Sequence, residues 1–577
     1  MSARALAAVL GLLFLIVSMG GAHAAVEVRV EGVDEEAERN IRAFLQIVRL
    51  SADDDVRADR VRRAHRRAPE QIREALEPLG YYRPQVDSEL KREEDRWLAT
   101  YTVDPGDLLR FTEIDVRLTG EGVDDGAFRQ AVDNLAIGEG DRVHHGRYEQ
   151  AKRDLQSLAV RRGYFDARWE MRRLLVDPAA GRAEVALHMD TGPRYRYGAI
   201  AFEQDILDDD FLRRYLRFAE GDPYDRRDLL DLQFMLGDSD YFDAVDVVAD
   251  RDGADTKRVP VRVQTEPRAR DRYTWGIGWG TDTGARTRVG WERRRVNRQG
   301  HGFEVEGELA EVRRRFGVAY TIPLGRPDRE RLILDARFRR EEFGDGLSRT
   351  NEVGARRVRS YSRWQLTEGV LFERSRDTLG DFRETRQIIV PHLGLEQRQR
   401  DDAVYPSRAY RFNIDLRGST RELASDVNFA QIRIGASWVR KILPRTRILT
   451  RGEWGASAVG EVGRLPLSQR FFTGGDATVR GFSYQSLGPR NEDGDVIGGR
   501  YLTTASIELE RLVVGNWGAA IFTDAGNVAN ERRMSLEQSA GVGVRWRSPV
   551  GMLRIDVAQS LTTDDSPRLH LSLGVDL

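Results

Sequence analysis

The 577-residue chain contains no cysteine, which excludes disulfides, thiolate zinc sites and cysteine nucleophiles together. Lysine is nearly absent as well: of 91 basic residues only Lys91, Lys152, Lys257 and Lys441 are lysines, and the arginines are spread along the whole sequence. No charge of one sign dominates, since 91 basic residues stand against 93 acidic ones for a net charge of −2. A nucleic-acid binder would carry a basic excess, at least locally, so no nucleic-acid partner is expected. Long apolar runs are scarce too. The one at the start, Ala5 to Val17 behind Arg4, ends in Ala22, His23 and Ala24, the charged, apolar and small-residue order of a cleavable secretory signal. It is shorter than the ~20 residues of a membrane anchor, so residues 1–24 are expected to be removed and the rest exported. No later run reaches the ~18 apolar residues of a spanning helix. A soluble exported protein and a closed β-barrel remain, the latter because it satisfies its backbone hydrogen bonds inside lipid.

From Val26 to Pro267 the sequence repeats itself. Each block opens with an alternating strand, at Val26 to Val30, Phe111 to Val116 and Tyr195 to Phe202. Apolar residues at three and four spacing follow, as at Ile72, Ala75, Leu76 and Leu79 or at Tyr148, Ala151, Leu155 and Leu158, and they predict helices. An aromatic turn comes next: Gly80, Tyr81 and Tyr82, then Gly163, Tyr164 and Phe165, then Asp240, Tyr241 and Phe242. Two further strands close each block, around Trp97 to Val103, Ala183 to Met189 and Arg258 to Thr265. A landmark recurring about every 80 residues points to duplication, and mixed α+β modules of ~80 residues can each bury a small core. This β-α-α-β-β order, three times over, resembles polypeptide-transport-associated (POTRA) domains. The resemblance implies modules at 25–106, 107–192 and 193–267 that capture extended chains by adding a strand to a sheet edge.

From residue 268 to 577 helical spacing gives way to period two. Tyr410, Phe412, Ile414 and Leu416 fall on one face, and Arg411, Asn413, Asp415 and Arg417 on the other. A soluble sandwich alternates too, turning its apolar face to a shared core. Three features favour a membrane barrel. The segment holds about sixteen strands at ~10 residues each plus turns, its polar face carries both charges as a wet lumen would, and Tyr273, Trp275, Trp279, Trp291, Trp364, Trp438, Trp454, Trp517 and Trp546 recur near strand ends as interfacial girdles do. The alternation of Leu569, Leu571, Leu573, Val575 and Leu577 runs to the last residue, where a soluble chain usually frays. The expected fold is three α+β modules followed by a transmembrane antiparallel β-barrel.

Between two strand-like runs lie Gly474, Gly475, Val479, Arg480, Gly481 and Phe482. Two more blocks follow in order: Phe522, Asp524 and Gly526, then Ser548, Pro549, Gly551, Arg554 and Asp556. Together they resemble the outer-membrane assembly and two-partner secretion superfamily, whose signature is Val-Arg-Gly-aromatic on a folded-back sixth extracellular loop, followed by a Phe-x-Asp-x-Gly strand and a late hairpin. The closing strand departs from that pattern, ending in Leu577 where an aromatic is usual. Three modules before one barrel most resemble the translocation and assembly module (TamA-type) branch.

The resemblance implies an outer-membrane protein with POTRA domains in the periplasm. It implies a loop arginine, Arg480, locked against lumenal carboxylates at Glu508 and Asp524, since a guanidinium inside a barrel is costly unless acceptors meet its five donors. A seam between the first strand, Arg272 to Gly280, and the last, Arg568 to Leu577, would open laterally to template strands of client barrels such as autotransporters. The implied partners are unfolded outer-membrane clients, the lipid bilayer and a TamB-like inner-membrane-anchored periplasmic protein.

No G-x-S-x-G elbow, H-E-x-x-H helix or phosphate loop occurs, so neither catalysis nor a cofactor is expected. The adjacent His144 and His145 lack a third ligand and are expected to be solvated, without metal. Asp53 to Asp55 and Asp208 to Asp210 lack a calcium-loop pattern and are expected at helix starts. The competing readings are a BamA-type general assembly subunit, which typically has five modules, a two-partner secretion translocator with two, a passive channel, and a soluble periplasmic binding protein.

Overall fold

The computed structural model describes residues 26–50, 57–93, 96–251, 256–402, 405–548, 551–564 and 566–574. Residues 1–24, where a secretory signal is expected, and Asp53 to Asp55, Pro549, Val575 and Leu577 lie outside the described residues. The chain divides into two compact units, Met1–Ile200 with Phe218–Leu229 and Ala249–Val261, and Ala201–Arg217 with Leu230–Val248 and Arg262–Leu577.

The first module runs β1 (Val26–Glu31), α1 (Glu35–Phe44), a four-residue α2 (Gln46–Arg49), α3 (Ala58–Leu76), β2 (Gln85–Glu93) and β3 (Arg96–Asp104). Asp34 caps α1 by accepting the Ala37 N–H at 2.8 Å, which satisfies one of the free amides of its first turn. Val61, Ala64, Ala68, Ile72 and Ala75 form the buried stripe of α3, and with Val26, Val28, Ile41 and Tyr101 they make the core. The last strand sits in the middle of the sheet, order β1-β3-β2, parallel to β1 and antiparallel to β2.

The second module repeats the plan with β4 (Glu113–Thr119), α4 (Gly126–Asp133), α5 (His145–Arg161), β5 (Arg168–Asp177) and β6 (Arg182–Asp190), in sheet order β4-β6-β5. The third has β7 (Arg196–Glu203), α6 (Asp209–Arg213), α7 (Arg226–Gly237), β8 (Phe242–Ala249) and β9 (Arg258–Pro267), in sheet order β7-β9-β8. The aromatic turns are packing devices. Tyr164 stands edge-on to Phe128 at 5.4 Å while its hydroxyl reaches Asp125 at 3.2 Å.

His144 and His145 depart from the solvated pair expected of them. His144 caps α5 and contacts Glu36 at 3.3 Å, and His145 meets the Tyr82 hydroxyl at 2.7 Å, so both join the first two modules. Asp208 stands at the head of α6 as expected, and it also accepts from Arg298 at 2.8 Å.

The barrel closes sixteen strands, β10 (Asp271–Gly280) to β25 (Arg568–Gly574), each consecutive pair antiparallel. Alternation decides which side chain meets which medium. Along β22 (Trp517–Ala529) the side chains of Trp517, Ala519, Ile521 and Thr523 are exposed on the outer surface, and Ala520, Phe522, Asp524, Gly526 and Val528 are buried inside. Along β21 (Tyr501–Val514) Ala505, Ile507 and Leu509 face out, and Thr504, Ser506, Glu508 and Glu510 face in. Outward Ile507, Ile521, Val542, Val557 and Leu569 are each 45–59% exposed, an apolar band with no protein over it. Such a band is stable against hydrocarbon, and the closed ladder leaves few backbone groups unpaired there. Tyr273, Trp275, Trp279, Trp438, Trp454 and Trp517 are exposed as girdle positions require, whereas the Trp291 indole N–H turns to Asp271 at 3.0 Å.

Candidate functional site: a locked loop and a loosely paired seam

The segment 460–500 connects β20 (Thr446–Val459) to β21 and folds back into the barrel. Its Val479 and Phe482 are buried in a small apolar cluster with Leu487, which presses the intervening Arg480 against the wall. Gly481 has φ +91°, a left-handed conformation that a side chain would strain, and it lets the chain reverse beside Ser539 and Ser560.

Arg480 is 3% exposed, and its side chain is fully engaged. Nε and Nη2 donate to the two oxygens of Asp524 at 2.8 and 3.0 Å, a bidentate fork. Nη1 donates to Glu508 at 2.8 Å and to Asp556 at 3.1 Å, Nη2 also reaches Ser506 at 3.4 Å, and the backbone N–H adds a bond to Asp524 at 3.1 Å. The guanidinium lies over the Phe522 ring at 3.3 Å. Gly526, two residues beyond Asp524, lets the loop approach, since a Cβ there would fall 2.9 Å from Val479.

The sequence candidates Glu508 and Asp524 thus both touch Arg480, and Asp556, taken only as part of a supporting motif, touches it as well. Arg545 was missed. It is fully buried on β23 (Glu537–Ser548) and donates to Glu508 at 2.6 Å and to Asp556 at 2.5 Å, so two arginines share two bridging carboxylates. The other motif residues sit nearby without touching Arg480's polar atoms. Ser548 closes a hairpin by donating to the Gly551 carbonyl at 2.7 Å, and Arg554 lines a lumenal cavity of about 610 Å³ with Arg451 and Glu508.

A second anchor, also missed, holds the loop's other arm. Glu373 on β16 (Trp364–Leu379) is fully buried and accepts from Ser468 at 2.5 Å and Gln469 at 2.7 Å. Asp377, four residues further on and on the same inward face, accepts the Leu467 N–H at 2.9 Å. The loop is therefore tied to β16 by one arm and to β21, β22 and β24 (Gly551–Ser560) by the other.

The seam contrasts with this. Neighbouring strands elsewhere in the barrel pair over seven or more residues, but among the described residues β10 pairs with β25 only at Gly280 and Ser572. Thr281 and Leu571 add two bonds at 3.3 and 3.2 Å. Among the described residues Asp271 to Trp279 thus have no ladder partner on β25, beside outward Tyr273, Trp275 and Ile277 that are 75–82% exposed. Of the terminal-strand candidates, Leu569 is exposed and Leu571 and Leu573 are half-buried.

Comparison with known proteins agrees with this geometry. Residues 297–575 match the Omp85 superfamily domain, residues 27–105 the POTRA domain TamA domain 1, and residues 195–268 the surface antigen variable number repeat of the POTRA type. The chain is 24% identical over 417 residues to outer membrane protein assembly factor BamA of Neorickettsia risticii, covering 66% of this chain and 55% of that one. It is 23% identical over 366 residues to the BamA of Nitratidesulfovibrio vulgaris, covering 60% and 46%. The chain therefore spans about half the length of the curated relatives it matches. The crystal structure of Haemophilus ducreyi BamA lacking POTRA domains 1–3 superposes with a TM-score of 0.66 at 17% identity, over 81% of this chain and 99% of that one, a likeness of fold.

Proposed function

We propose that this chain is an outer-membrane β-barrel of the Omp85 superfamily preceded by POTRA domains, and that it assists the insertion of other β-barrel proteins into the outer membrane. The observation that carries the reading is the seam: among the described residues, a barrel closed elsewhere by long ladders has one residue pair between its first and last strands. Unpaired backbone N–H and C=O groups along an edge recruit a strand, and in lipid the incentive is larger because no water satisfies them. The locked loop holds the lumen in place while the seam opens. Edges of the POTRA sheets, β2 and β5 among them, offer extended clients a place to pair before they reach the barrel. No catalytic step enters this account.

Within that function, the likeness of residues 27–105 to a TamA-type module favours the TamA branch, with autotransporter-like clients and a TamB-like periplasmic partner. The likeness to BamA sequences supports a second reading, a general assembly subunit. Depletion followed by a census of outer-membrane proteins tests both. Selective loss of autotransporter-like barrels supports the first and global loss the second. An unchanged census, with constitutive wide conductance in planar bilayers, returns the protein to a passive channel.

A further inference from the structure

The tip of the locked loop also reaches the seam. Asp476, four residues before Arg480, accepts from Thr281 Oγ1 at 3.1 Å at the end of β10, and from the His570 Nδ1 of β25. Its own N–H donates to Asp282 at 2.5 Å, in the turn after β10. His570 is 5% exposed, and its other nitrogen, Nε2, accepts the Gly481 N–H at 2.9 Å. One loop carboxylate therefore holds both strands that scarcely hold each other, and one imidazole ties that contact to the residue after the lock arginine.

We propose that Asp476 and His570 are positioning residues that latch the seam, so that docking of the Arg480 loop and closure of the barrel are one event. The proposal rests on the insertase reading for its purpose, but its geometry is tested without clients.

The protonation pattern follows from the donors. Because an amide N–H points at Nε2, that nitrogen is the acceptor, and the single proton of the neutral ring lies on Nδ1, directed at Asp476. Asp282, Asp476 and His570 also have the composition of a metal site, their ligand atoms lying within 4.8 Å of one another. A metal on Nδ1 would move the ring proton to Nε2, against the Gly481 N–H, so the same bond that orients the ring argues for a hydrogen-bonded latch rather than a metal-bound one.

The test uses spin labels on cysteines introduced at Ile277 and Leu573, near the seam and outside the latch, in the purified full chain in lipid, a clean background because the protein has no cysteine of its own. Their distance distribution is expected to be narrow in the parent and to gain a longer, broader population in Asp476→Ala and in His570→Phe, which keeps a ring but neither polar atom. His570→Gln, with one donor and one acceptor, is expected to recover at least half of the narrow population. Protease protection of the loop's Ser468 arm should persist in all three variants, which separates loss of the latch from loss of the fold. Unchanged distances in both disruptive variants would overturn the latch while leaving the insertase reading intact. A distribution that narrows with added Zn2+ and broadens with a chelator would overturn it in favour of a metal clasp.

Discussion

Replacing Arg480 by alanine removes five side-chain hydrogen bonds from a site almost closed to solvent. The loss is unevenly distributed. Glu508 and Asp556 keep Arg545, whereas Asp524, 1% exposed, is left with the Ser506 hydroxyl at 2.6 Å and a backbone N–H. Breaking a buried ion pair by deleting one partner costs about 3–5 kcal/mol. At a factor of ten for each ~1.4 kcal/mol, the undocked loop should become roughly 10² to 4×10³ times more populated. Limited proteolysis within 460–500 on folded, lipid-reconstituted protein reads that population, and heat-modifiable gel migration confirms that the barrel has formed. Arg480→Lys keeps the charge without the fork and should fall between parent and alanine variant. Adding Asp524→Asn to Arg480→Ala should recover part of the protection, because the stranded charge is then gone. Parental protease resistance in a folded Arg480→Ala protein would refute the reasoning, and parental client assembly would refute the lock's functional role.

Three further perturbations probe other parts of the account. Burial and the facing Asp476 carboxylate push the Asp282 carboxyl up to about 6, with His570 and Arg568 opposing. A carboxyl raised on folding favours the docked tip below its ordinary range and loses that contribution as pH rises through about 6, an effect of no more than about 2 kcal/mol once partial exposure is allowed for. The loop tip should therefore be better protected from proteolysis at pH 5 than at pH 8, and Asp282→Asn should reduce that difference; an undiminished difference would place the titration elsewhere. Glu373→Ala strands Ser468 and Gln469 and should loosen that arm by about 1–3 kcal/mol, seen as new cleavage near 465–470 with the Arg480 arm still protected. Ile521→Arg places a charge on the outer face at a cost of up to ~2–4 kcal/mol and should lower the folded fraction in urea titrations from lipid vesicles, whereas no loss would argue against lipid at that face.

The modules and the barrel were legible because periodicity is local: 3.6 in α3 and α5, two along β21 and β22. Glu508 and Asp524 were named by the motif resemblance, and the structure puts both on the inward parity of their strands. Alternation tells which face a side chain takes but not whom it meets across the lumen. Arg480 and Asp556 are 76 residues apart, Leu467 and Asp377 90, and Asp476 and His570 94, so these contacts exist only once the barrel closes. Arg545 showed only its inward parity, a signal shared by every lumenal arginine. The histidine pair misled because the chain-local view saw no third ligand and could not see Glu36 and Tyr82 arriving from the first module.

The central claim is that clients enter through the seam between β10 and β25. Gly280→Cys with Ser572→Cys, a residue pair in register there, places a single disulfide across it in a chain otherwise free of thiols. Client barrel assembly by the reconstituted protein is expected to stop when this bond is formed and to resume on reduction; assembly at the parental rate with the seam fully cross-linked would contradict the account.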